Sequence, residues 1–165
     1  MLRILRHLLT PLWVLRLRYP PELLARIAAR IGEIERRSPG EVRFVVEHAL
    51  ELGDLLSGLT PRDRALEIFG LLRVWDTEHN NGVLIYVLHA ERAVEIVADR
   101  GLARAVPQQE WDALCRQVEG EFRAGRYGPA AMSAVEGAAR LLEQHFPVTV
   151  CAATRNELPD QPLLL

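Results

Sequence analysis

Val83-Leu84-Ile85-Tyr86-Val87-Leu88 is the stretch of this 165-residue chain that decides its fold. The run is almost entirely apolar, which suits a strand covered on both faces, at the centre of a sheet with helices above and below it. A short turn follows at residues 89–93, and Val94–Ala98 has the composition of a second strand. The sequence therefore predicts a β-hairpin at the centre of the protein.

A strand and a helix are predicted upstream of this hairpin. Residues 41–47 alternate between apolar and charged side chains, which is typical of a strand. Residues 48–59 are predicted as extended chain followed by a loop. Thr60-Pro61 supplies a capping hydroxyl and a proline at the first helical position, so a helix is predicted from there to about Trp75. Two strands joined through a helix imply a right-handed parallel crossover.

Further helices are predicted on both sides of this unit. One opens after Pro20-Pro21, where leucine and isoleucine recur at helical spacing opposite charged residues. Gly101 is predicted to interrupt the chain after the hairpin. Pro107 and Pro129 each open a later helix with an apolar stripe. The order of elements is helix, strand, helix, strand, strand, helix, helix.

This order predicts an α/β fold: a three-layer α/β/α sandwich with a small mixed sheet of three or four strands and about four main helices. Residues 1–19 form a basic, apolar appendage, and residues 20–147 form the domain. Residues 148–165 are predicted as a tail of mostly loose chain with a short edge strand at 148–150.

Composition and charge exclude several functional classes. The net charge of −2 provides no global basic field, so we expect no nucleic-acid partner. The two cysteines, Cys115 and Cys151, make no disulfide framework and indicate reduced thiols, with Cys115 on an apolar helix face. The apolar run near the start is interrupted by Pro11 and flanked by arginines, so it is predicted to be neither a signal peptide nor a membrane anchor. These features favour a cytoplasmic protein.

Residues 2–9 form a short amphipathic pattern. Four leucines lie on one arc, and Arg3, Arg6 and His7 lie on the other. Such a segment suits peripheral contact with an anionic membrane surface or docking onto a partner. The alternative is that it folds back over an apolar edge of its own domain with its arginines in solvent. We favour this alternative, because Pro11 limits the helix length.

Three separated motifs carry a family resemblance. They are Asn80-Asn81-Gly82-Val83-Leu84, then Asp99-Arg100-Gly101-Leu102, then Phe122-Arg123-Ala124-Gly125-Arg126-Tyr127. Their order and the intervening elements resemble the TPM-domain family, named for thylakoid-lumen, photosystem II-associated and nematode receptor-auxiliary proteins, over roughly residues 22–146. The stretch from Arg73 to Glu78 looks like a small, signal-less bacterial branch of that family.

The resemblance implies a divalent cation between two loops and brings with it a phosphatase activity attributed to the family. The sequence departs from the family pattern at both loops. Asn80 stands where the family has aspartate, and Asp99 replaces the first glycine of the later loop. One loop has lost a negative charge and the other has gained one, so any ligand set must be rearranged or absent.

The predicted hairpin gives the two loops a reason to meet, because its pairing places residues 80–82 beside 99–101. Calcium and magnesium favour carboxylate and amide oxygens. The candidate metal ligands are therefore the oxygen-bearing side chains of these loops and the preceding turn: Asp76, Glu78, Asn80, Asn81 and Asp99. The competing interpretation is that these residues serve ordinary tight turns, with the aspartates paired to neighbouring arginines.

Two functions are compatible with these residues. The first is a TPM-like binding module that takes calcium or magnesium and acts as an interaction or assembly factor for a membrane-associated protein partner. The alternative is a weak metal-dependent phosphatase, in which Arg100 holds a phosphate oxygen. The chain has no glycine-rich phosphate loop and no assignable Ser/His/Asp or Cys/His arrangement, so the sequence favours binding over catalysis and leaves the catalytic residues unknown.

Overall fold

A four-stranded mixed sheet forms the middle of the protein. The computed structural model describes residues 2–145 and 156–165, and the strand order is β3-β2-β1-β4. The strands are β1 (Glu41–Glu47), β2 (Gly82–Leu88), β3 (Ala93–Ala98) and β4 (Leu163–Leu164). Strand β2 pairs parallel with β1 and antiparallel with β3, which confirms both the crossover and the hairpin.

Helices cover both faces of this sheet. They are α1 (Leu2–Leu8), α2 (Trp13–Arg18), α3 (Pro21–Glu35), α4 (Leu52–Ser57), α5 (Pro61–Leu71), α6 (Arg100–Ala105), α7 (Gln108–Arg123) and α8 (Tyr127–His145). One apolar core joins α3, α7 and α8 to the sheet, and a second joins α4 and α5 to its opposite face. The three-layer α/β/α fold is therefore confirmed.

Strand β2 is buried along its whole length. Val83, Ile85 and Val87 enter the core beneath α3, α7 and α8. The alternate residues Leu84, Tyr86 and Leu88 enter the other core. Because side chains alternate across a strand, a continuous apolar run fills both cores at once, as predicted from the sequence.

Three local predictions upstream and downstream of the hairpin were wrong. Residues 52–57 form α4 rather than a loop, and the chain leaves that helix at Gly58 in the left-handed conformation, φ 83°. Helix α5 ends at Leu71, short of Trp75, and Arg73 takes a left-handed φ of 53°. Gly101 does not interrupt the chain but lies in the first turn of α6, capped by Asp99.

The ends of the chain also differ from the prediction. The last helix begins at Tyr127, two residues before Pro129, because proline is tolerated in a first turn. The edge strand comes from residues 163–164, which pair parallel with β1. The predicted strand at 148–150 lies outside the described residues, as does Cys151. Cys115 packs against the core, and burial raises the pKa of its thiol to about 12.

Helix α1 folds back onto the domain as predicted, but the predicted docking face was wrong. The His7 imidazole is buried, with Nδ1 accepting from the Leu50 N–H at 2.9 Å and Nε2 donating to Glu91 at 2.8 Å. Arg3 donates to the same Glu91 carboxylate. The helix therefore docks through its polar side, because a carboxylate and a main-chain N–H of the domain need partners there.

The charged face of β1 is buried as well. Glu47 is 6% exposed and accepts from the Tyr86 hydroxyl at 2.6 Å and from the Arg64 guanidinium at 2.7 Å. Burial, reinforced by the Glu47 charge, raises the pKa of Tyr86, so the phenol stays protonated and donates. Arg64 also contacts the more exposed Glu67. Arg64 thus connects α5 to the sheet through its buried pair with Glu47, and it makes a second, surface pair with Glu67.

These two carboxylates provide a matched test of the buried network. Glu47→Gln leaves the Arg64 and Tyr86 donors poorly compensated, and we expect the free energy of unfolding to fall by about 3 kcal/mol. Glu67→Gln removes a surface pair of the same arginine and should change it by less than about 1 kcal/mol. Urea denaturation followed by circular dichroism measures both. Equal effects would show that the buried network does not tie α5 to the sheet.

Candidate functional site

Two loops meet at one end of the hairpin. The Asp99 N–H donates to the Gly82 carbonyl at 2.8 Å, and the Gly101 N–H donates to the Asn80 carbonyl at 2.9 Å. The Arg100 guanidinium also donates to the side-chain oxygen of Asn80 at 2.9 Å. Residues 80–82 and 99–101, the loop pair, therefore lie side by side as the sequence predicted.

The turn before β2 brings the first loop into this position. The Asn81 N–H donates to the Thr77 hydroxyl at 3.0 Å, and the Asn80 N–H donates to the Thr77 carbonyl at 3.2 Å. Asn80 has a left-handed φ of 53°, which asparagine tolerates better than most residues. This turn reverses the chain between α5 and β2.

Gly101 allows the loops to approach closely. A methyl group at this position would lie 2.5 Å from the Asn80 carbonyl oxygen and 2.9 Å from that of His79. Both are backbone atoms, which cannot rotate away as a side chain can. The absence of a side chain at residue 101 is therefore a condition for the contact.

Two buried side chains of the loop pair each have one oxygen without a hydrogen-bond partner among the described residues. Asp99 caps α6 by accepting from the Arg100 N–H through Oδ1 at 2.6 Å, while its buried Oδ2 has no hydrogen-bond partner among the described residues. Asn81 is fully buried and donates its amide to the Pro39 carbonyl, while its Oδ1 likewise has no partner in that part of the chain. Buried polar oxygens are normally hydrogen-bonded, so these two are the oxygens of the loop pair that are open to a further contact.

The other candidate ligands are placed differently. Asp76 and Glu78 are exposed on the preceding turn, and the Glu78 N–H donates to the Glu157 carboxylate at 3.2 Å. The Asn80 side chain is occupied by Arg100. Within residues 2–145 and 156–165, no group of three or more His, Cys, Asp or Glu side chains is arranged to hold a metal ion. The best-buried oxygens of the five predicted ligands thus belong to Asn81 and Asp99.

A basic pocket adjoins the loop pair. Its volume is about 350 Å³, and its lining includes both loops and α6: His79, Asn80, Arg100, Gly101 and Arg104. The Arg100 side chain is 76% exposed, and its Nε lies 3.8 Å from Asp99 Oδ1. The pocket therefore brings two arginines together, and one of them, Arg100, also approaches the buried carboxylate of Asp99, which lies outside the lining.

Sequence reasoning missed a group of acidic residues near the start of β1. The Glu41 N–H donates to the Asn81 carbonyl at 3.0 Å, and its carboxylate accepts from the N–H groups of Glu157 and Leu158. Burial raises the pKa of the nearby Glu35 to about 9, helped by the charges of Glu41 and Asp160. In the sequence, only Glu41, at the start of a buried strand, points to this group. The tail that completes it was predicted as loose chain.

Most of the chain resembles known proteins at the level of family and fold. A profile of the TPM domain matches residues 21–141. The chain belongs to the TPM-domain family. No curated protein matches it.

Two solved structures resemble this TPM domain. The NMR structure of the BA42 protein from the psychrophilic bacterium Bizionia argentinensis matches with a TM-score of 0.73 and 26% identity, covering 87% of this chain and 93% of that one. The N-terminal domain of a P. gingivalis protein matches with a TM-score of 0.56 and 23% identity, covering 70% of each chain. The second similarity concerns the fold alone.

The two departures from the family pattern meet in this TPM domain. Arg100 bonds Asn80, the position where the resemblance implies aspartate, and its Nε approaches Asp99, the position where the resemblance implies glycine. The two positions at which the sequence departs from the resemblance thus lie next to the same guanidinium.

The close approach of the loops predicts opposite effects for two helical glycines. Gly101→Ala adds a methyl group against two carbonyl oxygens, and we expect the free energy of unfolding to fall by about 2 kcal/mol. Gly70→Ala lies in α5 with open space around it and should raise that energy by about 0.5–1 kcal/mol. Urea denaturation of both variants measures the difference. An increase in stability for Gly101→Ala would show that the loops are not in contact.

Proposed function

We propose that this TPM domain is a binding module that holds one calcium or magnesium ion at the loop pair. The observation that carries the proposal is the presence of two buried oxygens, Asp99 Oδ2 and Asn81 Oδ1, that find no hydrogen-bond partner among residues 2–145 and 156–165. A carboxylate and an amide oxygen are hard ligands of the kind that both ions prefer. Asp99 would be the one buried carboxylate among the five predicted ligands.

The same donor set implies a weak site. Magnesium is often bound through one or two carboxylates with water completing its coordination, and calcium affinity falls as the number of charged ligands falls. Arg100 lies beside Asp99 and competes with a cation for its charge. We therefore expect dissociation constants on the order of millimolar.

Metal titration of matched variants tests the cation site. With the wild-type chain, calcium or magnesium should shift the backbone amide resonances of residues 80–82 and 99–101. Asp99→Asn keeps the size of the side chain but removes its charge, so these shifts should disappear. Asp112→Asn changes an exposed carboxylate on α7 and should leave them intact.

A metal titration of Arg100→Gln provides a second test of the same site. Removing the competing charge should tighten cation binding about two- to fivefold, the effect of a surface ion pair. Shifts that stay absent in the wild-type chain at millimolar metal would contradict the proposal. Shifts that persist in Asp99→Asn would show that the ion binds elsewhere.

The proposal includes an interaction role, in which the module serves a membrane-associated partner. Its support is an exposed apolar surface of leucines and one tryptophan between residues 2 and 17, which would hold the module at the membrane where such a partner lies. This surface lies on α1, α2 and the turn that joins them, away from the loop pair in sequence. The cation site and the interaction surface are therefore separable by mutation.

The basic pocket beside the loop pair favours a second candidate, hydrolysis of phosphate esters. Arg100 and Arg104 would hold the oxygens of a phosphoryl group within reach of the loop pair. A divalent ion bound there would supply Lewis-acid polarisation of the phosphoryl group. The described residues assign no general base, which places this activity second.

A phosphatase assay on the same protein tests this candidate. With para-nitrophenyl phosphate, we expect turnover that requires magnesium or calcium and is lost in the double variant Asp76→Asn/Asp99→Asn. Arg100→Gln should lower kcat/KM about tenfold, because it removes a charged hydrogen bond to phosphate. Arg116→Gln, on an exposed position of α7, is the matched control. Turnover that survives the double variant would exclude this site as its source.

A further inference from the structure

An apolar surface is exposed at the beginning of the chain. Residues 2–145 and 156–165 contain twelve large apolar side chains that are exposed, and seven of them lie between residues 2 and 17. We call these seven the leucine face: Leu2, Leu5, Leu8, Leu9, Leu12, Trp13 and Leu17. Their exposure reaches 81% at Leu2 and 64% at Trp13. Such a concentration of apolar side chains within sixteen positions marks an interaction surface.

The leucine face is held outward by contacts on the opposite side of the segment. His7 and Arg3 anchor α1 through Glu91, and His7 also accepts from the Leu50 N–H. Leu15 anchors α2 in the core, with no exposed surface. Because both helices are fixed from the polar or buried side, the face is presented by the folded protein.

The same segment is strongly cationic. Arg6, Arg16 and Arg18 are exposed, and Glu22 is the first acidic residue in the sequence. Arg18 also stacks on Tyr127, with its guanidinium carbon 4.8 Å from the centre of the ring. The surface thus combines leucines with arginines and carries no carboxylate of its own.

We propose that the leucine face binds the surface of a lipid bilayer that contains anionic lipids. Leucine side chains would enter the boundary between headgroups and acyl chains, while arginines would pair with lipid phosphates. Trp13 suits the same boundary, because indole is apolar with one polar N–H. None of the helices between residues 2 and 145 is long and apolar enough to cross a membrane.

A pocket next to α1 extends the cationic surface onto the domain. Its volume is about 420 Å³, and three arginines contribute to its lining: Arg6, Arg92 and Arg123. Glu91, the acidic residue in the lining, is already paired with Arg3 and His7. Burial lowers the pKa of His89 in the same lining to about 4, so this imidazole is neutral at pH 7. Arg123 is already paired with Glu119 at 2.6 Å, so Arg6 and Arg92 give this side of the protein its favourable field for phosphate groups.

Charge argues against a second copy of the chain as the occupant. Two leucine faces packed against each other would bring Arg6, Arg16 and Arg18 of both copies together without a carboxylate between them. Like charges brought together at an interface disfavour that partner. An anionic bilayer satisfies the apolar and the charged parts of the surface together.

Vesicle co-sedimentation of the full chain tests this proposal. We expect binding to vesicles of phosphatidylcholine with phosphatidylserine and little binding to phosphatidylcholine alone. Binding should weaken as sodium chloride rises from about 50 to about 500 mM, because salt screens the arginines. Equal binding to both vesicle types, or none to either, would overturn the proposal.

Matched variants separate the leucine face from general hydrophobicity. Leu5→Ser/Leu9→Ser/Trp13→Ser should lose at least about tenfold in vesicle affinity, since each substitution removes apolar area that the bilayer would bury. The control, Leu56→Ser/Leu66→Ser/Leu71→Ser, changes three exposed leucines on α4 and α5 and should bind as the unmodified chain does. Thermal unfolding followed by circular dichroism shows whether both triple variants keep the fold. Equal binding by the two folded variants would overturn the assignment of this face.

A second pair of variants tests the charge. Arg6→Glu/Arg16→Glu should abolish the dependence on phosphatidylserine, whereas Arg116→Glu/Arg140→Glu on exposed positions of α7 and α8 should keep it. Tryptophan emission should shift to the blue on vesicle binding. Trp13→Phe should remove that shift, and Trp75→Phe should retain it.

Two further measurements separate lipid binding from self-association and from the cation site. Sedimentation equilibrium shows whether the chain self-associates, and a dimer that the Leu5/Leu9/Trp13 triple variant dissociates, without vesicle binding, would assign the face to a second copy. Vesicle binding by Asp99→Asn at the wild-type level would show that the bilayer surface is independent of the cation site. Failure of one proposal therefore leaves the other intact.

Discussion

Strand β2 has no side that faces water, and this constraint governs the rest of the architecture. Its backbone needs a hydrogen-bonded neighbour on each edge, which β1 and β3 provide, and its side chains need an apolar layer above and below. The parallel partner requires a crossover, so α5 must lie against one face of the sheet. Helices α3, α7 and α8 then cover the other face. The antiparallel partner brings the chain back to where β2 began, and this return places the loop pair together.

Several buried polar groups of this protein are paired with one another. Glu47 is satisfied by Arg64 and Tyr86, and Arg43 donates to the carbonyls of Pro159 and Gln161. The C-terminal residues are therefore joined to β1 by charged and main-chain hydrogen bonds as well as by the short strand β4. The same pairing explains how α1 docks, because Arg3 and His7 form hydrogen bonds with Glu91 of the domain. A consequence is that Leu2, Leu5 and Leu8 of α1 are exposed, whereas Ile4 packs against the core.

Much of the fold and the meeting of the two loops followed from the sequence. The apolar run of β2, the capped start of α5 and the polar residues flanking the hairpin were sufficient, because each is a local pattern with a local physical cause. Helix α4, the helical setting of Gly101 and the pairing of residues 163–164 with β1 were not predictable in this way. They depend on contacts between residues distant in sequence, such as Arg43 with Pro159. The face through which α1 docks was missed for the same reason, since its amphipathic pattern does not reveal that Glu91 pairs with His7.

The buried carboxyl group of Glu35 has a consequence for the energetics of folding. With its pKa raised to about 9 by burial and by neighbouring acids, this group is protonated in the folded chain at pH 7, whereas in the unfolded chain it is ionised. Folding near neutral pH therefore takes up a proton at this position. The contribution of Glu35 to stability is complete below its unfolded pKa and declines as pH rises toward its folded pKa. A rise in pH through neutrality therefore weakens the place where α3 meets β1, at the hydrogen bond from the Val42 N–H to Glu35.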